Sequence, residues 1–253
     1  MVLFQEVCGM KDNFSAQAKL YASFRPHYPE AMYDFLMEHV SNFDTALDCA
    51  TGNGQVAVVL ATKFKTVYAT DISEKQLAQA PIISNVHYKI EAAEQTGFPD
   101  NSFDLVTVAQ AIHWLNFDVF YSEVKRILKP GGIIAVIGYG LIRINSAVDK
   151  WLDNFYWNII GTYWDKERKY IDEGYSTIPF PFEEISCPKL FIEYTWSKAQ
   201  FVGYINTWSA LQHYIKANNE HPLSQALMTS LDEAWKEDEI LTVRFPLFLR
   251  IGK

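Results

Sequence analysis

Short apolar runs alternate with amphipathic stretches over the first 140 residues, and that alternation predicts a parallel α/β sheet. The runs at 45–49, 66–70, 86–90, 103–109 and 133–137 have the length of buried strands. Between them, Val56-Ala57-Val58-Val59-Leu60 reads as a helix, and 73–80 reads as a second, capped by Ser73 and ended by Pro81. The stretch 118–129 places Val119, Phe120, Val124, Ile127 and Leu128 on one helical face, and Pro130-Gly131-Gly132 closes it. Ahead of the sheet, a short helix starting near Asn13 is stopped by Pro26, and Pro29 opens another over 30–39 with Met32, Phe35, Leu36 and Val40 in register. Such an alternation implies right-handed crossovers.

Beyond Gly140 the pattern changes. Residues 145–162 are helical and dense in aromatics, 165–172 are charged, and Pro179 and Pro181 interrupt the chain. A sixth strand is expected at 190–195, helices over 198–216 and 222–236, and a long final strand over 240–251. No repeat and no second glycine loop is present, so residues 1–253 are expected to form one domain. Residues 12–40 would lie at its entrance and 140–188 would form a cap inserted after strand five.

Composition narrows the class. No apolar run approaches the roughly 18 residues that span a bilayer, and no basic region leads into an apolar stretch at the N-terminus. The three cysteines, Cys8, Cys49 and Cys187, are far apart and lack CxxC spacing, which argues against a disulfide framework and a zinc or other metal site and favours the cytoplasm. A net charge of −8 makes general attraction to nucleic acid unfavourable and points to a small-molecule partner. Aromatics reach 15%, many after residue 150, which fits dense core packing or an aromatic-lined cavity.

The candidate chemistry gathers at Asp48-Cys49-Ala50-Thr51-Gly52-Asn53-Gly54, a strand running into a glycine turn and a helix. Glycine allows positive φ there and lets the backbone lie against a ligand. Asp48 stands where a parallel strand ends, the place where open α/β sheets bind ligands. Asp71 ends the next run, at about the 20-residue spacing that suits a carboxylate on ribose hydroxyls. Residues 52–57 also satisfy the relaxed dinucleotide pattern, so a nicotinamide-dependent dehydrogenase is a rival. A charge at Asp48 is unusual in such a strand. A non-catalytic protein that kept the fold is a second alternative.

Four stretches in order carry a resemblance: residues 48–54, Asp71, Ala93-Glu94 ahead of Phe98-Pro99-Asp100-Asn101-Ser102-Phe103-Asp104, and Arg126-Ile127-Leu128-Lys129-Pro130-Gly131-Gly132. Together they resemble the successive motifs of class I S-adenosylmethionine-dependent methyltransferases. Residues 21–29 and Ala109-Gln110-Ala111-Ile112-His113-Trp114 are similar to the small-molecule branch related to trans-aconitate methyltransferase and a fungal cantharidin-detoxifying enzyme. The resemblance implies a Rossmann-like seven-stranded sheet, mostly parallel, with an antiparallel last strand and helices on both faces. It implies S-adenosyl-L-methionine as cofactor and a small-molecule acceptor, with no nucleic acid or membrane partner, in a monomer or homodimer. Asp48, Thr51 and the Gly52/Gly54 turn would meet the methionine end, Asp71 the ribose, and Ile72 the adenine face. Ala93 and Glu94 would meet the adenine edge, Gln110 and Ala111 the floor, and Tyr21, Arg25 and Tyr28 would close a lid. Ala50 stands where the class has glycine and is small enough to be discounted. Taken by residue type alone, Tyr21, Arg25 and Tyr28 read first as a solvated arm, and the lid is the sharper alternative.

A donor that is already activated asks mainly for positioning and exclusion of water. A general base helps only a protonated acceptor, and His113 is the candidate for it. The other reading of His113 is a histidine hydrogen-bonded beneath a helix start. Trp114, Tyr139, Arg143, Trp208 and His213 are candidates for an acidic or aromatic acceptor, each with a packing or surface role as the alternative. The Asn-Pro-Pro-Tyr signature of many nucleobase and amide N-methyltransferases is absent after strand four, where Gln110-Ala111-Ile112-His113 stands.

Overall fold

A computed structural model describes residues 26–253. The chain runs α1 (Glu30–Glu38), β1 (Thr45–Cys49), α2 (Gln55–Leu60), β2 (Thr66–Asp71), α3 (Glu74–Leu77), β3 (Val86–Ile90), β4 (Phe103–Ala109), α4 (Phe117–Ile127) and β5 (Leu128–Tyr139). It continues with α5 (Ser146–Asp153), α6 (Arg168–Asp172), β6 (Glu184–Ile185), β7 (Phe191–Ser197), α7 (Lys198–Ile205), α8 (Ser209–Asn218), α9 (Gln225–Ala234) and β8 (Ile240–Gly252). Sheet order is β3-β2-β1-β4-β5-β8-β6, with β7 also on β8. The strands β1 to β5 are parallel and β8 is antiparallel to β5.

Eight strands replace the seven expected because the sixth is split. Glu184 and Ile185 pair with Gly252 and Ile251, and Phe191 resumes on Pro246 one residue out of register. Pro188 lies in the gap, where it has no N–H to give a ladder. Thus β6 and β7 are two pieces of one edge strand, and the Rossmann-like arrangement is kept.

Every residue of β4 is buried, because this central strand is covered on both faces. Leu47, Val106, Val108, Ile134 and Val136 pack toward α4 through Phe120, Tyr121, Val124 and Ile127. The intervening residues Ala46, Leu105, Ile133 and Ala135 point to the opposite layer, which holds Met32 and Leu36 of α1 and Val56 and Leu60 of α2. Period-two alternation along strands thereby meets helical stripes on both sides. Asn116 caps α4 by accepting from the Val119 N–H at 3.3 Å, and Lys125 and Arg126 sit in its last turn, where the dipole favours cations.

Three boundaries depart from the sequence reading. The Pro130-Gly131-Gly132 run does not close α4 as a free turn but bulges out of the start of β5, between the pairs Phe103↔Leu128 and Leu105↔Ile133, with Gly131 at φ +77°. The second helix keeps its cap, Ser73 Oγ accepting from the Gln76 N–H, but ends at Leu77. The 198–216 stretch breaks after Ile205, where Asn206 Nδ2 and Thr207 Oγ1 donate to the carbonyls of Val202 and Tyr204 and compete with helical bonding.

Residues 140–164 leave the carboxyl end of β5 and pack with α7, α8 and α9 into a helical layer, while Ile171, Tyr175 and Ile178 turn back onto the α4 side of the sheet. Trp151 Nε1 donates to Leu227 O at 2.9 Å, and Asn218 Nδ2 donates to Tyr163 Oη at 2.9 Å. This layer is joined to the sheet by β8, whose 247–252 half lies beside β5 while its 240–246 half pairs with β7 beyond the end of β5. No helix among the described residues is long and apolar enough to cross a membrane.

Candidate active site

The order β3-β2-β1-β4 means that the chain turns back between β1 and β4, the switch point at whose carboxyl side open α/β sheets form their ligand crevice. Asp48 ends in this crevice from β1, 1% exposed. Burying a carboxylate requires partners, and two hydroxyls supply them. Thr107, its register neighbour on β4, donates to Oδ1 at 2.7 Å, and Thr51 of the glycine turn donates to Oδ2. Asp71, at the end of the adjacent strand β2, accepts from the Gly52 N–H at 2.8 Å and from the Ser73 N–H at 2.8 Å. Consecutive residues of one turn therefore hold the two acids. An ionised carboxylate offers about four acceptor positions, so Asp71 keeps about two for a ligand.

The turn itself is strongly left-handed, with φ +51° at Ala50, +59° at Gly52 and +83° at Gly54. A methyl group on Gly54 would stand 2.8 Å from Tyr88 Oη, so the residue is required for space as well as for backbone conformation. Ala50 is the less comfortable of the three, since a Cβ in this region costs about 1 to 2 kcal/mol. The class glycine at this position is thus a conformational need, and alanine meets it under strain.

The other predicted cofactor residues come from the segments that follow β2, β3 and β4 and from the one that leads into α1. Ile72 is 50% exposed directly after Asp71, an apolar side chain open beside the acid. Ala93 is buried, and Glu94 accepts from the Asn116 N–H through Oε1 at 3.1 Å while its Oε2 is buried without a partner among the described residues. Gln110 takes φ +53°, its N–H bonded to Ile137 O and its Nε2 to Tyr139 O, and Ala111 beside it is buried. Tyr28 is buried against Tyr139, ring centroids 6.3 Å apart. Tyr21 and Arg25 lie outside the described residues.

The acceptor candidates are not all brought together. His113 is 6% exposed in the turn after β4, with Nδ1 3.0 Å from Tyr175 Oη and its ring against Trp114. Burial first, and the charge of Arg168 second, push its imidazole down to about 3, so it is neutral at physiological pH. Trp208 is buried among Tyr156, Trp164 and Tyr204 in the helical layer. Arg143 is exposed and paired with Asp153 at 2.7 Å, and His213 Nδ1 lies 2.9 Å from Tyr163 O. Both are bound up within the helical layer.

Residues 47–136 match the family described as a methyltransferase domain. A Dictyostelium discoideum protein named as a methyltransferase is 36% identical over 250 residues, 96% of this chain and 95% of that one. The chain belongs to the class I S-adenosylmethionine-dependent methyltransferases. A solved structure named as a type II methyltransferase from Anaeromyxobacter dehalogenans superimposes on this methyltransferase with a TM-score of 0.84 at 38% identity, covering 91% of this chain and 98% of that one. A ubiquinone/menaquinone biosynthesis C-methyltransferase from Hydrogenovibrio crunogenus is 30% identical over 63% of this chain and 68% of its own.

Several residues that meet the predicted site residues escaped the sequence reading. Thr107 is visible only once β4 is known to lie beside β1. Tyr175, whose Oη also donates to Gln110 Oε1 at 3.4 Å, comes from the segment after α6 and meets the floor only through tertiary folding. Arg168 stood in a run read merely as charged. Its nearness to Trp164 in an aromatic stretch was the sole local sign.

Proposed function

We propose that this enzyme transfers the methyl group of S-adenosyl-L-methionine to a small-molecule acceptor by in-line displacement. The observation that carries the reading is the pair of bonds from Thr51 Oγ1 to Asp48 and from Gly52 N to Asp71, which tie both acids to one turn at the carboxyl ends of β1 and β2. The residues present fit that cofactor: Asp71 has acceptor positions left for a ribose diol, Ile72 offers an open apolar face to an adenine, and buried Glu94 Oε2 awaits a donor. Asp48, Ala50, Thr51, Gly52 and Gly54 are assigned to the methionine end, Ala93 and Glu94 to the adenine edge, and Gln110 and Ala111 to the floor.

When bound, the sulfonium supplies a methyl group already activated for displacement, and the chain's task is to bind, orient and exclude water. Residues 12–40, with Tyr21, Arg25 and Tyr28, are assigned to a lid, and 140–188 to a cap over the acceptor, within a single domain. Neutral His113 is a weak base and is assigned to positioning: its bond to Tyr175 holds the segment after α6 on the floor residue Gln110. Trp114 and Tyr139 are assigned to the wall of the acceptor pocket. The enzyme is placed in the cytoplasm, acting as monomer or homodimer without nucleic acid or membrane, in keeping with Cys49 and Cys187 as free thiols.

Calorimetry with S-adenosylmethionine, S-adenosylhomocysteine and NAD tests the cofactor, with micromolar binding of the first two expected. Binding of NAD alone would overturn it. Labelled methyl donor incubated with a small-molecule extract then identifies the acceptor.

A further inference from the structure

A hollow of about 550 Å³ opens at the start of β5, away from the site argued above. Its floor is the bulge at 128–132, and its walls are Lys125 of α4 and the segment 180–183 that leads into β6. Leu128 pairs with Phe103 at the amino end of β4, whereas Gln110 follows the carboxyl end, so the length of β4, roughly 20 Å, lies between the hollow and that predicted cofactor residue. The volume is that of a small-molecule site.

Both walls are held open. Gly131 lies at φ +77°, and a Cβ there would meet nothing within 4 Å, so bare backbone faces the space. Gly132 admits no side chain, since a Cβ would stand 2.9 Å from Phe103 O. The rings of Phe180 and Phe182 are braced edge-on by buried Tyr121, with centroids 6.1 and 5.6 Å away. Arg250 lies over Phe180 at 4.5 Å and pairs with Glu184 at 2.7 Å, which fixes this wall to β8.

Charge sets the hollow apart from the rest of the chain. The protein carries −8 overall, yet Lys125, Lys129 and Lys253 line the hollow against one acid, Glu183. Lys129 gives two of its three donors to Thr45 Oγ1 and Asp104 Oδ2, at 3.1 and 2.9 Å, and keeps a third. Lys125 Nζ lies 5.3 Å from the Phe182 ring, and neither it nor the Lys253 side chain has a carboxylate within 4 Å among the described residues. The carbonyls of Arg126 and Ile127 at the end of α4, which would repel an anion, are answered by the Asn101 and Ser102 N–H groups at 3.0 and 2.7 Å. Point charges on three separate segments suit a tetrahedral phosphate better than a planar carboxylate, which an arginine fork matches. Two phenyl rings beside them suit a flat apolar group carried on that phosphate.

We infer that this hollow is a second ligand site, which takes a small aromatic phosphate monoester with its phosphate at the three lysines and its ring at Phe180 and Phe182. It stands apart from methyl transfer and does not depend on that reading.

The test is calorimetry of the full chain with phenyl phosphate, inorganic phosphate, benzoate and phenol, each with and without saturating S-adenosylhomocysteine. Phenyl phosphate should bind with sub-millimolar Kd, more tightly than inorganic phosphate or benzoate, and phenol should not bind. S-adenosylhomocysteine should not displace it. The double variant Lys125→Gln/Lys253→Gln should raise that Kd about 10- to 100-fold, at roughly one charge-assisted bond each. Lys216→Gln makes the same kind of charge change on α8 and should leave it within about twofold. Unchanged urea midpoints establish that both variants are folded. No binding of phenyl phosphate at millimolar concentration, benzoate or inorganic phosphate binding as tightly, displacement by S-adenosylhomocysteine, an equal loss in Lys216→Gln, or wild-type affinity in the double variant would each overturn the inference. Failure of S-adenosylhomocysteine to bind would overturn the cofactor reading instead.

Discussion

Asp71→Ala is expected to weaken S-adenosylhomocysteine binding roughly 30-fold. The carboxylate accepts one backbone N–H on each oxygen, from Gly52 and from Ser73, which aims its remaining acceptor positions into the crevice. Two hydroxyl bonds to a charged acceptor are worth about 1.5 to 3 kcal/mol each when dry, but Asp71 is only partly buried and water competes. Taking about 1 kcal/mol per bond gives ~2 kcal/mol, which is roughly 30-fold in Kd. Calorimetry of wild type and variant with S-adenosylhomocysteine and with its 2′,3′-dideoxy analogue closes a cycle. Removing the hydroxyls should cost the wild type a similar factor and cost the variant little. A Kd within about twofold of wild type, or a full hydroxyl effect surviving in the variant, would remove Asp71 from the ribose and undo the site. Urea denaturation of the same variant reports any loosening of the Gly52 turn separately.

Three further outcomes follow from the same geometry. His113 is held neutral with its pKa pushed down to about 3, below an unfolded value of about 6.5. The unfolded chain therefore takes up the proton first: the stability is fully present above pH 6.5 and is lost as pH falls toward 3, by about 2 kcal/mol at pH 5. Denaturant melts should show this fall, and His113→Asn should flatten it, while a rate profile between pH 6 and 8 that requires His113 to titrate would contradict it. Ala50→Gly relieves a left-handed alanine at φ +51° and should stabilise by about 0.5 to 1 kcal/mol after the entropy of glycine is counted, read as a raised urea midpoint. Gly54→Ala meets both the positive φ and Tyr88 Oη, and should cost about 2 kcal/mol together with cofactor affinity; a neutral result would mean that the turn yields easily.

Much of this was readable in the order of residues, and the reasons are physical. The strands β1 to β4 and the helix α4 declare themselves because a buried strand and an amphipathic helix each impose a short local period. The Asp48-to-Gly54 turn and Asp71 are near one another in the chain and sit at consecutive strand ends. What was hidden depends on crossings. Thr107 serves Asp48 only because β4 returns beside β1, and Tyr175 reaches His113 and Gln110 from 62 and 65 residues away. Among the acceptor candidates, Arg143 was singled out by charge, yet its charge is answered by Asp153, a partner ten residues on that the residue order did not pair with it. Pro188 was visible, but its effect needed the knowledge that β8 lies alongside.

The long strand β8 deserves a last consequence. Its inner half pairs with β5, and at Ile251 and Gly252 with β6 as well, while its outer half, about 20 Å of extended chain, runs on past the end of β5 beside β7 and bridges to Arg143. One continuous strand therefore serves two ladders, so the helical layer and the sheet are tied by main-chain hydrogen bonds along a single segment, and loosening either ladder would unseat the other.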